Sequence, residues 1–284
     1  MNCQICGNKA SLSFIKDNYR ILKCTNCNYY FTDLIITPEE VKEIYSDRYF
    51  YGGQDGYPDY TLEREILIKR GEYYARKIRK YISQGSLLDI GAAAGFILKG
   101  FMNEGWRGIG LEPNAKMVEF GKNNLGIDIY CGTIESVKFD KKFDLILMIQ
   151  VIAHLHDLNQ SLRNVYDLLI DGGYVLIETW NRNSLIARIF GSRWHEYSPP
   201  TTLNYFDKKT LNILMQKYRF KKIASGKPSK KILSAHAKSL LVYKIRGDKF
   251  LSRFFLKIVN FIPDNIKIPY PAGDLFWTLY RVNK

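Results

Sequence analysis

Apolar positions along this chain switch between two spacings, and the switches mark out its elements. Leu87-Leu88-Asp89-Ile90 is an apolar run of strand length, and the small residues Gly91-Ala92-Ala93-Ala94-Gly95 that follow it open a helix at Phe96. Ile109-Gly110-Leu111 is a second such run, closed by Glu112, 23 residues after Asp89. Together they predict a β-α-β unit whose first turn lets backbone approach a ligand and whose second strand presents a carboxylate. Further strands are predicted around 127–131, 143–149 and 174–179, with a last antiparallel strand at 274–282. Leu162, Val165, Leu168 and Leu169 recur at helical spacing, and Asp171-Gly172-Gly173 is expected to end that helix through a left-handed glycine. Asp207 can cap a helix through Leu211, Leu214 and Met215 that stops before Arg219-Phe220. Upstream, Thr37 can cap a short helix that begins at Pro38. The stretch 62–82 predicts a longer helix with Leu62, Ile66, Tyr73, Tyr74, Ile78 and Tyr81 on its apolar side.

The details of the first turn separate two kinds of nucleotide site. A dinucleotide fold places G-x-G-x-x-G so that a pyrophosphate rests on the helix N-terminus. Here the spacing is Asp89-x-Gly91-x-x-x-Gly95, and an acid at that point repels pyrophosphate but suits a cationic amino-acid ligand. This pattern resembles motif I of class I S-adenosylmethionine (SAM) dependent methyltransferases, with Ala93 where the family often has glycine. The order of the segments up to residue 180 is similar to that family as well.

The resemblance implies a set of cofactor contacts. Asp89, Gly91, Ala92, Gly95 and Phe96 would form the turn beside the methionine part of SAM. Glu112 would accept the ribose hydroxyls, with Pro113 stiffening the turn and Asn114 near adenine. Thr133 and Ile134 would lie along the adenine edge, and Met148, Ile149 and Gln150 would floor the methionine end.

Cysteine spacing is the second strong signal. Cys3-x2-Cys6 and Cys24-x2-Cys27 are separated by 17 residues. Two such knuckles make a closed tetrahedral S4 site, so a structural zinc is expected, in a ribbon with strands at 13–15 and 20–23. Two disulfides are the alternative, which a reducing compartment disfavours. Cys131, in the third core strand, is expected to be a buried small side chain rather than a nucleophile.

The flanking segments are similar to a methyltransferase-23-type subgroup that carries a ribbon and is often linked to sugar and polysaccharide biosynthesis. In that subgroup the segment around Tyr49 and Phe50 commonly covers the SAM pocket; plain packing of the linker is the alternative. Relatives often read W-x(n)-P-P-x-H-L-x-x-F across the loop 194–206. Here Thr202 replaces that histidine, so catalytic roles do not transfer directly. Methyl transfer to oxygen or nitrogen releases a proton, and histidine is the natural acceptor for it. His154 lies at the carboxyl end of the fourth strand, where it can serve as base or merely hold a loop, and His195 lies in the aromatic loop. His156, before Asp157, reads as exposed, and His236 lies in a remote basic segment.

Charge adds one more element. The 284 residues are 46% hydrophobic, with 42 basic and 28 acidic side chains. Between 221 and 284 stand 14 basic against 3 acidic residues. There Phe250, Phe254, Ile258 and Ile262 repeat every four residues, while Lys249, Arg253 and Lys257 take another face. That predicts a basic amphipathic helix. It can dock on the core, meet an anionic membrane surface through 249–262, or bind nucleic acid. No apolar run reaches the roughly 18 residues of a spanning helix, and Met1-Asn2-Cys3 begins no leader, so a cytoplasmic protein is expected, with possible contact at the inner membrane face.

The expected fold is α/β: a Rossmann-like seven-stranded methyltransferase sheet, a small N-terminal zinc ribbon and a helical insertion near the C-terminus. The expected divisions are 1–36 (ribbon), 37–84 (helical linker or lid), 85–228 (SAM-binding core) and 229–284 (basic insertion and final strand). The expected activity is SAM-dependent O-methylation of a sugar, glycan precursor or related small metabolite. RNA methylation is the weaker alternative, because Gln150-Val151-Ile152-Ala153 stands where base N-methyltransferases often carry N-P-P-[YF]. A SAM-binding module without catalysis is the other.

Overall fold

A computed structural model describes residues 1–51, 59–234, 238, 263, 266–270 and 273–284. The predicted basic helix at 249–262, His236 and the glycines after Tyr51 lie outside the described residues. The chain begins with β1 (Ala10–Lys16), β2 (Tyr19–Cys24) and β3 (Tyr30–Thr32), followed by α1 (Pro38–Ile44), α2 (Asp47–Tyr51) and α3 (Arg64–Ile78). Then come β4 (Ser86–Ile90), α4 (Phe96–Asn103), β5 (Arg107–Glu112), α5 (Ala115–Leu125), β6 (Ile129–Cys131) and β7 (Phe143–Ile149). Next are α6 (Leu158–Leu168), β8 (Leu169–Trp180), α7 (Leu185–Phe190), β9 (Asn204–Tyr205) and α8 (Lys208–Lys217). Last come β10 (Phe220–Gly226), β11 (Lys231–Leu233), β12 (Lys267–Pro269) and β13 (Leu275–Val282).

Seven strands form the main sheet in the order β10-β13-β8-β7-β4-β5-β6, the seven-stranded sheet that the resemblance implies. The strands from β8 to β6 run parallel, and β13 is antiparallel to both β8 and β10. Side chains alternate between the two faces of each strand, so neighbouring leucines serve different layers. Leu87, Leu145, Leu147 and Leu176 pack with Tyr74, Ile78, Phe96 and Phe101 from α3 and α4. Leu88, Ile146, Val175 and Ile177 pack with Leu158, Leu162, Leu211 and Leu214 from α6 and α8. The cysteine ribbon lies against this second layer, with Cys24, Tyr29 and Phe31 in the same core. Both faces of the parallel strands are therefore covered, which is why they read as continuous apolar runs.

Three elements differ from the sequence expectation. The predicted helix over 62–82 is a 3₁₀ turn at Tyr60–Glu63 followed by α3, so Leu62 is exposed and Tyr81 lies beyond the helix end. Asp171-Gly172-Gly173 does not close a helix. It lies within β8, where the register against β7 jumps between Phe143 and Leu145, and Leu169 belongs to the strand. Cys131 is exposed rather than buried, because among the described residues β6 is the sheet edge and pairs with β5 alone. The ribbon has a third strand, β3, and takes a fourth, β9, from residues 204–205. A two-residue strand paired across more than 170 positions leaves no periodic signature. The antiparallel β11–β12 pair was likewise not foreseen.

Helices α3 and α4 meet backbone to backbone at Gly71 and Gly100. A β-carbon at Gly71 would stand 2.2 Å from the Ile97 carbonyl oxygen, and one at Gly100 2.2 Å from that of Ile68. Backbone cannot yield there without separating the helices. Gly100→Val is expected to lose about 3 kcal/mol or more of stability in chemical denaturation, at the upper end of overpacking costs.

Candidate active site

The carboxyl ends of β4, β5, β7 and β8 converge on one cavity of about 310 Å³. This is where a parallel sheet leaves a crevice, between helices that depart to opposite faces. Gly91 takes φ +68°, and a β-carbon there would stand 2.5 Å from Val151, so only glycine makes this turn. Ala93 is also left-handed at φ +48°, the conformation that makes glycine suitable at this position. Gln150, at the end of β7, takes φ +61°. Strained backbone of this kind gathers where function constrains it, and both residues line the cavity.

Glu112 is buried and each of its carboxylate oxygens accepts one backbone N–H, Oε2 from Ala93 and Oε1 from Asn114, both at 2.9 Å. Each oxygen keeps further acceptor capacity. Burial pushes the Glu112 carboxyl up to about 7 against the pull of those two bonds. Asp89, also buried, is pushed up to about 8 by burial and by the charge of Glu112. Two such carboxyls in one cavity form a site for a cation with hydroxyl donors, which is what SAM offers.

Gly91, Ala92, Pro113, Thr133, Ile134, Ile149 and Gln150 line the same cavity. Gly95, Phe96, Asn114 and Met148 do not. Gly95 caps α4, and Phe96 is buried beneath Tyr60, with the rings stacked at 5.4 Å. Asn114 caps α5 through Met117 N–H and donates to the Tyr45 carbonyl at 3.0 Å. Met148 points into the core under the sheet. The wall opposite the strands comes from α1 and α2: Tyr45, Tyr49 and Phe50 line the cavity, and Phe50 meets Tyr60 edge-on.

His154 and His195 both reach the cavity. The Nδ1 atom of His154 lies 2.6 Å from the Thr201 carbonyl oxygen, which can only accept, so Nδ1 carries the hydrogen. Burial lowers the pKa of the ring, and the neutral form so bonded keeps its lone pair on Nε2. Tyr45 donates to the same carbonyl at 2.8 Å. His195 is held differently. Its Nε2 lies 2.9 Å from both the Tyr270 hydroxyl and a Glu196 carboxyl oxygen, and 3.6 Å from Asp274. Carboxylates only accept, an environment that keeps a hydrogen on Nε2. His156 is half-buried at the cavity rim rather than exposed, and Thr202 lines the wall.

Sequence reasoning missed a buried polar group beside these residues. Glu178, near the end of β8, accepts from Arg70, from the Tyr74 hydroxyl and, at 3.0 Å, from Gln150. Lys230 stands 4.6 Å over the Tyr270 ring, with its pKa pushed down to about 8 by burial. Glu178 had a visible signal, an acid near the end of an apolar strand, as at Asp89 and Glu112. Arg70, Lys230 and Tyr270 had none, because only the tertiary fold brings them here.

Away from the cavity, the Sγ atoms of Cys3, Cys6, Cys24 and Cys27 all lie within 4.8 Å of one another. Four thiolates bound at about 2.3 Å to a tetrahedral metal have comparable separations. Asn26 N–H and Cys27 N–H point to the Cys24 sulfur at 3.4 and 3.5 Å, contacts that stabilise a thiolate. The donor set fits zinc.

A sequence profile described as "Methyltransferase domain" matches residues 66–225, more than half of the chain. The chain belongs to the class I SAM-dependent methyltransferase family. It is 30% identical over 168 residues to a ubiquinone biosynthesis O-methyltransferase of Bradyrhizobium sp. (strain ORS 278), a stretch covering 54% of this chain and 66% of that protein. Across three such relatives the chain spans 58% to 66% of their length. The YcgJ protein of Bacillus subtilis superposes with a TM-score of 0.54 at 16% identity, covering 76% of this chain and 99% of that one. The [4+2]-cyclase SpnF superposes at 0.51 with 15% identity, over 75% of this methyltransferase-family chain and 80% of its own. At such identities the likeness establishes the fold alone.

The buried acids make stability depend on pH in a definite direction. Their folded pKa values lie above the ordinary carboxyl range, so the neutral form is favoured on folding. Below about pH 4 both states are protonated and nothing is lost. Above it the unfolded chain ionises first, and ligand-free stability falls until Glu112 and Asp89 ionise near 7 and 8. Denaturation midpoints between pH 5 and 8 should show this decline, and Asp89→Asn should flatten part of it.

Proposed function

We propose that this protein transfers a methyl group from SAM to a hydroxyl oxygen of a small metabolite, with sugars and glycan precursors as the first candidates. The observation that carries this reading is that Asp89, Glu112 and His154 line one cavity. The O-methyltransferase names of the relatives support oxygen as the acceptor atom. The cavity volume supports a small acceptor or the end of a larger one.

Bound there, SAM supplies an electrophilic methyl group on a sulfonium. Glu112 binds the ribose hydroxyls with the acceptor capacity its two backbone bonds leave. Asp89 sets the turn and balances positive charge at the methionine end, while Ala92 and Gly91 leave room for backbone approach. Thr133 and Ile134 flank the adenine, and Ile149 with Gln150 floors the reacting end. Gly95, Phe96, Asn114 and Met148 support these contacts from behind. Tyr45, Tyr49 and Phe50 exclude water. His154 Nε2 takes the proton of the acceptor hydroxyl, and its Nδ1–H keeps the ring aimed by donating to Thr201. His195, whose Nε2 is committed to Glu196 and Tyr270, orients the acceptor.

An assay of S-adenosylhomocysteine release across a panel of hydroxyl acceptors tests this. His154→Gln should lower kcat by about 10²–10³-fold with SAM affinity unchanged, the size expected for loss of general base catalysis. An acceptor methylated equally well by His154→Gln would remove the histidine from the mechanism. The four cysteines are proposed to hold one structural zinc. Elemental analysis should find one zinc per chain, and Cys24→Ser should lose it together with about 10 °C of thermal midpoint.

A further inference from the structure

The cysteine ribbon has no residue in the cavity, yet a continuous set of contacts runs from it to His154. Cys24 donates its backbone N–H to the Tyr29 carbonyl at 2.8 Å, which fixes Tyr29 directly behind the second knuckle. Tyr29 is fully buried, stacked on Phe31 at 5.3 Å and against Phe206 at 5.5 Å. A buried phenol requires a partner for its hydroxyl, and this one donates to Asn204 Oδ1. Asn204 is buried in turn, and its amide nitrogen donates to the carbonyls on both sides of His154. The contact to Leu155 is 2.6 Å, and the longer one to Ala153 is 3.4 Å. The Ala153 carbonyl also accepts from Leu203 N–H at 2.9 Å. On the ribbon side, Thr32 N–H donates to the Leu203 carbonyl at 2.9 Å, beside the β3–β9 pairing of Phe31 with Asn204.

We propose that Tyr29 and Asn204 are positioning residues through which the cysteine ribbon fixes His154 at the mouth of β7. The proposal rests on the reading of His154 as the base, and it gives the ribbon a task in the same site. His154 sits on a single 3₁₀ turn, Ile152–His154, too short to hold a side chain by its own hydrogen bonds. Its ring is braced by Thr201, and by Tyr45 and Trp180 edge-on at 5.9 and 6.0 Å. Its backbone is braced by Asn204. Thr201 and Asn204, though not Tyr45 or Trp180, belong to the segment that β3 of the ribbon pairs with at 204–205. Glu196 is the carboxyl group whose field acts on the ring, and it lies in that segment too. A ribbon that loses its metal would release Tyr29, then Asn204, then the turn.

The test is histidine ¹H–¹³C NMR on the full chain with S-adenosylhomocysteine present. With four histidines, single substitutions assign each signal. Tyr29→Phe removes one hydroxyl at constant packing, and Asn204→Leu removes the clamp itself. The His154 signal is expected to broaden or split in both. Its titration midpoint should move by about 0.5 pH unit or more towards the ordinary histidine value as burial is relaxed. His195 and S-adenosylhomocysteine affinity should stay within about twofold of wild type, a change of roughly 0.4 kcal/mol or less. Metal removal from wild type by a chelator should give the same His154 change. An unchanged His154 signal and midpoint in Tyr29→Phe and Asn204→Leu, whatever their thermal stability, overturns the proposal. Loss of S-adenosylhomocysteine binding by well-folded wild type would instead overturn the cofactor reading on which it rests.

Discussion

Asp89 and Glu112 end adjacent parallel strands inside a cavity that has removed them from water, and neither carries a charge there without cost. Glu112 offsets part of that cost by binding the amides of Ala93 and Asn114, which ties the first turn to the second strand end. The left-handed Ala93 is one consequence, because its amide must face the carboxylate. The glycine at 91 answers a separate constraint, because Val151 occupies the space a side chain would need. What remains uncompensated is a demand for positive charge and hydroxyl donors, in a cavity walled on the other side by Tyr45, Tyr49 and Phe50.

A second polar layer lies behind the first. Glu178 gathers Arg70, Tyr74 and Gln150 at the end of β8 and so joins α3 to the floor of the cavity. The loop from Trp194 to Tyr205 is anchored from two sides, by Thr201 against His154 and Tyr45 and by Asn204 against the ribbon. The histidine side of the cavity is therefore built by segments far apart in sequence. The Asp89–Glu112 side of the cavity is built within one β-α-β unit.

That difference explains what the sequence disclosed. Asp89, Gly91 and Glu112 were legible because strand ends, turn geometry and charge fall within 24 residues of each other. The four cysteines were legible because a metal site leaves spacing. Helix ends were less so: a glycine pair at 172–173 marks a register jump in β8, which looks identical in sequence to a helix stop. Cys131 was misjudged because apolar pattern does not distinguish an edge strand from a central one. Lys230, Tyr270 and the Asn204 clamp depend on long-range pairing, which leaves no periodic trace. Met148 illustrates the limit of carrying contacts over from a family, since it belongs to a floor segment yet points into the core.

Calorimetric titration of the protein with SAM at pH 7, in two buffers of different ionisation enthalpy, tests the central claim most directly. A cation seated against Asp89 and Glu112 must lower their pKa values from about 8 and about 7 and so release protons. Saturable binding with net proton release, lost in Glu112→Ala, is the predicted result. Absence of binding by folded protein, or binding with no proton exchange, would contradict it.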